Sequence, residues 1–593
     1  MKYNEKNFSL AVSNYKKSLK GKVENKTVFA LLDIKNLEAF YSVAPLSRAI
    51  HELNGDMHVL VEGNKCPSYD ILEDVWQVND DMQRNLKTEK VMALSAFIKA
   101  VDKRTNTKTF RGIFQKPDII LHSQEEGFKG TYNLDYDYRW YKKYKFNLLV
   151  QTATRILKQG FNLTEKDSLS IGFVLIPKKA DMELPLEDYL DSFSIAMAFC
   201  MSAKKLKAKV TLGTLTDRFS LLAKPVRTAD LLTTLKGCYL ERDINEDVFK
   251  KFKILSEILK MDRFTFQTAS FGIHGKGFYG KHFFGDEIGY PTLNRKTRWS
   301  SPAQIMLKDP FSPQTKFETR DPMMRYAITE TLPIDTFIET CNIDYTILRK
   351  KSEKIRLIFN KCQHIRVVGQ SIGKYKTDFT VYLVAKNGRR REFISSDCDV
   401  KNIIDKEYYK KTGIKAGTFA NFPSGEAFST PEKVKGTMIG DVVINIDQSH
   451  IIPKNSPIIV KFDKKGYKII KADPKIKKIM MKVRGECWQK IKDYEKNKSL
   501  PKDIIKIYKD NFMSVGEFAV NTNPKAKLSD YLIVNEKIAR MIHVALGSGF
   551  EPDKKTLYHW DIVVNSPKQK LDVYGVDKKN KMYWVIKKGE LVV

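Results

Sequence analysis

Long apolar runs are missing from this chain of 593 residues. The richest, Phe193 to Met201, falls far short of the about 20 residues a membrane-spanning helix needs. The N-terminus, Met-Lys-Tyr-Asn-Glu-Lys-Asn-Phe, has no apolar signal core, so no secretory leader is expected. Cysteine is sparse. Seven are dispersed through the chain with no CxxC pair, which excludes a disulfide framework and a paired-cysteine zinc site. That usage fits a reducing compartment, and a cytoplasmic protein without membrane contact is expected. Internal repeats and low-complexity tracts are absent too. What is present, 42% hydrophobic and 11% aromatic residues, suits globular structure. The length calls for two or more domains.

Acidic residues are outnumbered, giving a formal net charge of +33. Such a balance raises the question of nucleic acid. The excess is uneven: residues 351–593 carry a net +22 and residues 1–350 a net +11. It concentrates between Lys461 and Lys509, where lysines alternate with Ile and Tyr at helical spacing, as on the solvated face of an amphipathic helix. No zinc-finger spacing or aromatic RNA-binding run accompanies them, so a nucleic-acid partner is not expected. Attraction of other anionic partners remains open.

Apolar strands alternate with helices in the first half. Helices are expected at 8–20, from Ala44-Pro45 through Leu53 with the proline in the first turn, near 142–159, and at 186–206. Strand-like runs begin at Thr27, Met57, Asp118, Ser168 and Lys209. This order argues for an α/β N-terminal domain with a mainly parallel sheet over residues 1–350. Residues 264–325 are rich in Gly, Pro and aromatics and read as a loop folding over a cleft. Gly275-Lys-Gly-Phe-Tyr-Gly matches a dinucleotide fingerprint only formally, since no acid follows near residue 297. His274 and His282 in that stretch are either pocket or surface residues. From about 353 the pattern turns to short strands, with Asn387-Gly388 marking a hairpin turn, then a basic helical stretch near 475–510. An α+β, β-rich C-terminal domain over 351–593 is expected.

Chemistry concentrates near the end. In Leu-Tyr-His-Trp-Asp-Ile-Val-Val, residues 557–564, strand alternation places His559 and Asp561 on one face with Trp560 on the other. His543 lies upstream in Met-Ile-His-Val-Ala-Leu-Gly, and two glutamates each follow a glycine: Glu426 in Pro-Ser-Gly-Glu-Ala-Phe and Glu517 in Ser-Val-Gly-Glu-Phe-Ala. Taken singly, each has a plain structural role: core histidine, hydrogen-bonded pair, turn residue. Together, two imidazoles and three carboxylates form an N/O set suited to one or two borderline divalent metals.

The stretch from about 365 to the C-terminus resembles the thermophilic metallo-aminopeptidases, the aminopeptidase T and S group of leucyl-type aminopeptidases. Lys376-Thr-Asp-Phe-Thr-Val, Asn421-Phe-Pro-Ser-Gly-Glu-Ala-Phe-Ser-Thr-Pro, Val515-Gly-Glu-Phe-Ala-Val-Asn-Thr-Asn-Pro, Asn535-Glu-Lys through His543-Val-Ala-Leu-Gly-Ser, and Tyr558-His-Trp-Asp are similar to five blocks of that family in the family's order. The resemblance implies a dinuclear site of two divalent ions (Zn, Co or Mn) held by Glu426, Glu517, His543, His559 and Asp561. It also implies release of N-terminal amino acids from peptide or other small substrates, and a homodimer. One departure is Phe550, which stands where the family has a tyrosine thought to assist at the transition state. A ring-cleaving dioxygenase on a similar fold, holding one iron through His543, His559 and Asp561, and a catalytically inactive binding or scaffold protein are the alternatives.

Overall fold

The computed structural model describes residues 3–33, 37–63, 118–122, 145–160, 165, 168–174, 186–215, 299–306, 324–330, 332–396, 419–446, 448–497, 502–549, 552–554 and 556–593. His274, His282, the Gly275–Gly280 run and Phe550 lie outside them.

Seven strands form most of a first sheet: β1 (Thr27–Asp33), β2 (Asp56–Gly63), β3 (Ile119–His122), β4 (Ser168–Val174), β5 (Lys209–Leu215), β6 (Trp299–Met306) and β7 (Met324–Glu330). The C-terminal half adds β8 (His364–Ile372), β9 (Tyr375–Tyr382), β10 (Ile394–Ser396), β11 (Phe419–Asn421), β12 (Glu426–Ser429), β13 (Lys433–Gly440), β14 (Val443–Asn445), β15 (Ser449–Ile451), β16 (Ile458–Asp463) and β17 (Gly466–Lys471). It closes with β18 (Val515–Asn521), β19 (Ile542–Gly547), β20 (His559–Val564), β21 (Asp572–Val576), β22 (Met582–Lys587) and β23 (Glu590–Leu591). The longer helices are α1 (Glu5–Leu19), α2 (Leu37–Glu52), α3 (Phe146–Arg155), α4 (Leu186–Lys205), α5 (Ile334–Cys341), α6 (Tyr345–Phe359), α7 (Pro474–Lys496) and α8 (Lys502–Asp510).

The first sheet runs β11-β7-β6-β4-β5-β2-β1-β3. It is mixed. The β1–β2, β1–β3, β4–β5 and β7–β11 pairs are parallel, whereas β2–β5, β4–β6 and β6–β7 are antiparallel. The mainly parallel sheet expected from strand–helix alternation is thus only partly realised. β6 accounts for two of the three antiparallel pairs: it falls inside the stretch read as a loop, and it enters the sheet as a strand antiparallel to both neighbours; β2–β5 is the third. β11 joins this sheet from beyond residue 350. Pro45 sits inside α2 rather than in its first turn, because the helix begins at Leu37, where the apolar spacing gave no cap signal.

Two antiparallel sheets make up the C-terminal half. One runs β10-β12-β18-β19-β20-β14-β15 and the other β17-β16-β13-β9-β8-β21-β22-β23. A single buried cluster joins them, with Phe379 and Val381 from one sheet and Phe518, Val544, Leu546 and Ile562 from the other. The Phe379 and Phe518 rings stand 6.3 Å apart, nearly perpendicular, a favoured aromatic geometry. α7 lays Ile476, Met480, Val483, Cys487 and Ile491 on this core. Those positions lie on one helical stripe, which leaves Lys475, Lys477 and Lys478 exposed on the other side. Asp473 caps its first turn, accepting from the Lys475 and Ile476 N–H groups, and Pro474 occupies the first position, where its missing donor costs nothing. No helix among the described residues is long and apolar enough to cross a membrane.

Candidate metal centre

Four neighbouring strands, β12, β18, β19 and β20, carry the candidate residues. Cross-strand partners share a face, and the registers align Glu426 with Asn521, Glu517 with Ala545, Ala519 with His543, and Ala545 with Asp561. Glu426, Glu517, His543, His559 and Asp561 therefore project from one side of the sheet. On the other side Phe518, Val520, Val544, Leu546, Trp560 and Ile562 enter the core, with Trp560 facing away from its two neighbours as alternation requires. In the middle of the polar face stand Ala519 and Ala545, both fully buried. Their small side chains leave space between the carboxylates.

The glycines before the two glutamates have separate physical reasons. At Gly516 the β18–β19 register shifts between Val515 and Glu517. This bulge leaves Val515 in the core and turns Glu517 to the polar face. A Cβ at Gly516 would meet the Ser548 carbonyl oxygen at 1.9 Å, so only glycine fits. Gly425 has φ of +127° and would place a Cβ 2.9 Å from the Asn523 nitrogen, again a position for glycine alone.

His543 Nε2 lies 3.0 Å from Glu517 Oε1 and 3.8 Å from Glu426 Oε2. His559 Nε2 lies 3.1 Å from Asp561 Oδ1 and 3.7 Å from Glu517 Oε2. Glu517 thus stands between two groups, one built on His543 and Glu426, the other on His559 and Asp561. Each imidazole is held from behind. His543 Nδ1 is 2.9 Å from Asn521 Oδ1, and His559 Nδ1 is 2.7 Å from the Ser548 carbonyl oxygen. Both acceptors demand a proton on Nδ1. In the neutral ring Nε2 then carries the lone pair, as in histidines that ligate metals.

Two further residues reach the site from the turn after the short helix Leu532–Asn535. Lys537 Nζ sits 2.8 Å from both Glu426 Oε1 and Glu536 Oε1, with its side chain only 1% exposed. Burial opposes its charge, but the two glutamates hold it firmly protonated. Glu536 is pushed up to about 8 by burial, partly offset by Lys537, and it hydrogen-bonds Asp561. Both fall in the Asn535-Glu-Lys block quoted from the sequence, which gave neither a role in the site. The available signal was a Glu-Lys pair between the apolar runs Leu532–Val534 and Ile538. A lysine thus stands inside a site whose other residues would attract cations.

The charges decide what this pocket needs. Glu426, Glu517, Glu536 and Asp561 face one lysine and two imidazoles. Burial raises Glu426. Burial works against protonation of both imidazoles, but the bond to Glu517 with its charge carries His543 to about 9, and Asp561 carries His559 to about 10. The same His559 charge outweighs burial at Asp561 and keeps it ionised below the usual carboxylate range. Protons on the imidazoles balance the carboxylates when no cation is present; a divalent cation would do so with both rings neutral. Glu426 Oε2 is buried with no hydrogen-bond donor, a costly state for an isolated polar atom, and Asp561 Oδ1 is buried facing His559 Nε2 at 3.1 Å. Ligand atoms from Glu426, Glu517 and His543 all come within 4.8 Å of one another. The residues present fit a metal.

No protein-family model matches the chain, and no curated protein matches it. Among solved structures the chain is similar to wild-type AmpT from Thermus thermophilus, with 12% identity and a TM-score of 0.38, over 76% of this chain and 100% of that one.

Proposed function

We propose that this protein is a metal-dependent hydrolase of the aminopeptidase type with a dinuclear centre, acting on peptides or small aminoacyl substrates. One observation carries the proposal: two imidazoles, each pinned at Nδ1, turn Nε2 toward the two oxygens of Glu517, beside the orphaned Glu426 Oε2. Glu426 and His543 would hold one ion and His559 and Asp561 the other, with Glu517, which stands between the two groups, as a further ligand. Ions bound there would polarise a scissile carbonyl and bring the pKa of water toward neutrality.

The remaining residues position these ligands. Lys537 fixes Glu426 through Oε1 and leaves Oε2 facing His543. Asn521 and the Ser548 carbonyl set the imidazole tautomers. Glu536, which burial raises to about 8 in the metal-free site, hydrogen-bonds Asp561 and orients it. A single-iron centre would use His543, His559 and Asp561 alone, leaving the inward-facing Glu426 and Glu517 without a task. Amino-acid anilides tested with metal-loaded and chelator-treated protein decide the matter. Hydrolysis that requires Co, Zn or Mn supports the proposal, and inertness despite full loading removes it.

A further inference from the structure

A second concave site lies at one end of the other antiparallel sheet. The β16–β17 hairpin turns tightly at Lys464-Lys465, with Asp463 paired to Gly466. β13 starts beside it with Lys433 and Lys435, which alternation puts on the same face. The turn after β9, closed by the Gly388 N–H donating to the Ala385 carbonyl, brings Lys386 to the same end. Lys554 completes the rim, its Nζ donating to the Glu432 carbonyl at 3.1 Å. These six lysines line one cleft of about 540 Å³, a volume typical of small-molecule sites.

Six lysines face three carboxylates in the lining, those of Glu432, Asp463 and Asp510. Glu432 accepts from Arg391 at 3.0 Å and lies 3.4 Å from Arg389. Asp553 is taken by the same two arginines, each at 2.8 Å. Asp463 accepts from the Lys465 backbone N–H at 2.7 Å. Asp510 is the other acid lining the cleft. Among the described residues, Lys386, Lys433, Lys435, Lys464 and Lys465 make no ion pair. Partial burial, and after it the charges of Lys435, Lys464 and Lys386, press Lys433 below the usual lysine range.

We infer that this cleft binds a small molecule bearing a chain of phosphates. Compact, rotatable ammonium groups suit densely charged phosphate oxygens, whereas planar carboxylates are better served by the arginine fork. Here the arginines are already engaged with acids. The concave shape and the lack of an aromatic series argue against a nucleic-acid backbone. The shared chemistry is the phosphate chain, whether inorganic or carried by a nucleoside, with Tyr382 on the wall available to a base. This inference stands apart from the hydrolase proposal, since its test reads binding alone.

Inorganic tripolyphosphate and ATP are titrated calorimetrically into the full chain, with chelator present so that bound cations do not recruit them. Saturable binding by tripolyphosphate is expected, and the combined Lys433→Ala, Lys435→Ala, Lys464→Ala variant should weaken it by about tenfold or more at about 0.1 M salt. A control removing equal charge from α7, Lys475→Ala with Lys477→Ala and Lys478→Ala, none of which lines the cleft, should change it by less than about twofold, as expected of screened surface charge. Equal affinity for ATP assigns the site to the phosphate chain. Tighter ATP binding assigns it to a nucleotide. Equal loss in both triple variants, or no saturable binding of either probe, overturns the inference. So does binding of a single-stranded oligonucleotide when neither small probe binds. Unchanged circular dichroism and melting of both variants confirm that folding is not the cause.

Discussion

Replacing Lys537 by Met isolates the electrostatic logic of the centre. The side chain keeps its length and loses its charge, at a position 1% exposed and 2.8 Å from two glutamates. Glu536, at about 8, is already largely neutral at pH 7, so the lysine's essential partner is Glu426. Removing one member of a buried ion pair typically costs about 3–5 kcal/mol, because the other charge is left uncompensated. With a urea m value of about 3 kcal/mol/M, the unfolding midpoint of chelator-treated Lys537→Met should fall by about 1–2 M. Divalent ions at Glu426 would replace the missing charge, so the deficit should be clearly smaller in metal-loaded protein. Paired urea titrations with and without metal measure both. A deficit below about 1 kcal/mol without metal, too small for a broken buried pair, would refute the assigned role of Lys537. So would an equal deficit in both states.

Gly516→Ala should displace the Ser548 carbonyl from His559 and lower metal affinity by about 10–100-fold, as loss of an orienting partner commonly does; competition with a chromogenic chelator reads it. His559→Ala should retain one ion per chain, and an unchanged count removes His559 from the ligand set. Metal uptake should release protons at pH 7. The metal-free imidazoles are raised to about 9 and about 10, and ligation requires the neutral ring. Their folded values exceed the unfolded value of about 6.5, so their contribution to metal-free stability is complete below that pH and lost as pH rises through 9–10. The melting-temperature gain from metal should therefore grow between pH 6 and 9, and a gain that shrinks contradicts the assignment.

Much of the candidate site was legible because its signal is local. His559-x-Asp561 needs only strand alternation, and Trp560 lies on the core side where that alternation puts it. Lys433 and Lys435 could have been read in the same way. Register was not legible. That Ala519 and Ala545 stand among the charged residues, and that Asn521 reaches His543, depends on pairings between strands far apart in sequence. The Gly516 bulge reverses the side on which Val515 points, which no periodic pattern reveals. The role of Glu536 and Lys537 was not legible, because they lie in a turn, where spacing carries no facing information. In the first sheet, Gly and Pro in residues 264–325 masked β6, since turn-forming composition says nothing of a strand embedded within it.

Metal content per chain tests the central claim most directly. Protein stripped with chelator, reconstituted with Co, Zn or Mn and dialysed, should carry two divalent ions by elemental analysis. Glu426→Gln should then retain the ion at His559 and Asp561, whereas Glu517→Gln, losing the shared carboxylate, should weaken both. No retained metal in the wild type, one iron, or a Glu517→Gln variant that still holds two ions tightly would contradict a centre built around Glu517.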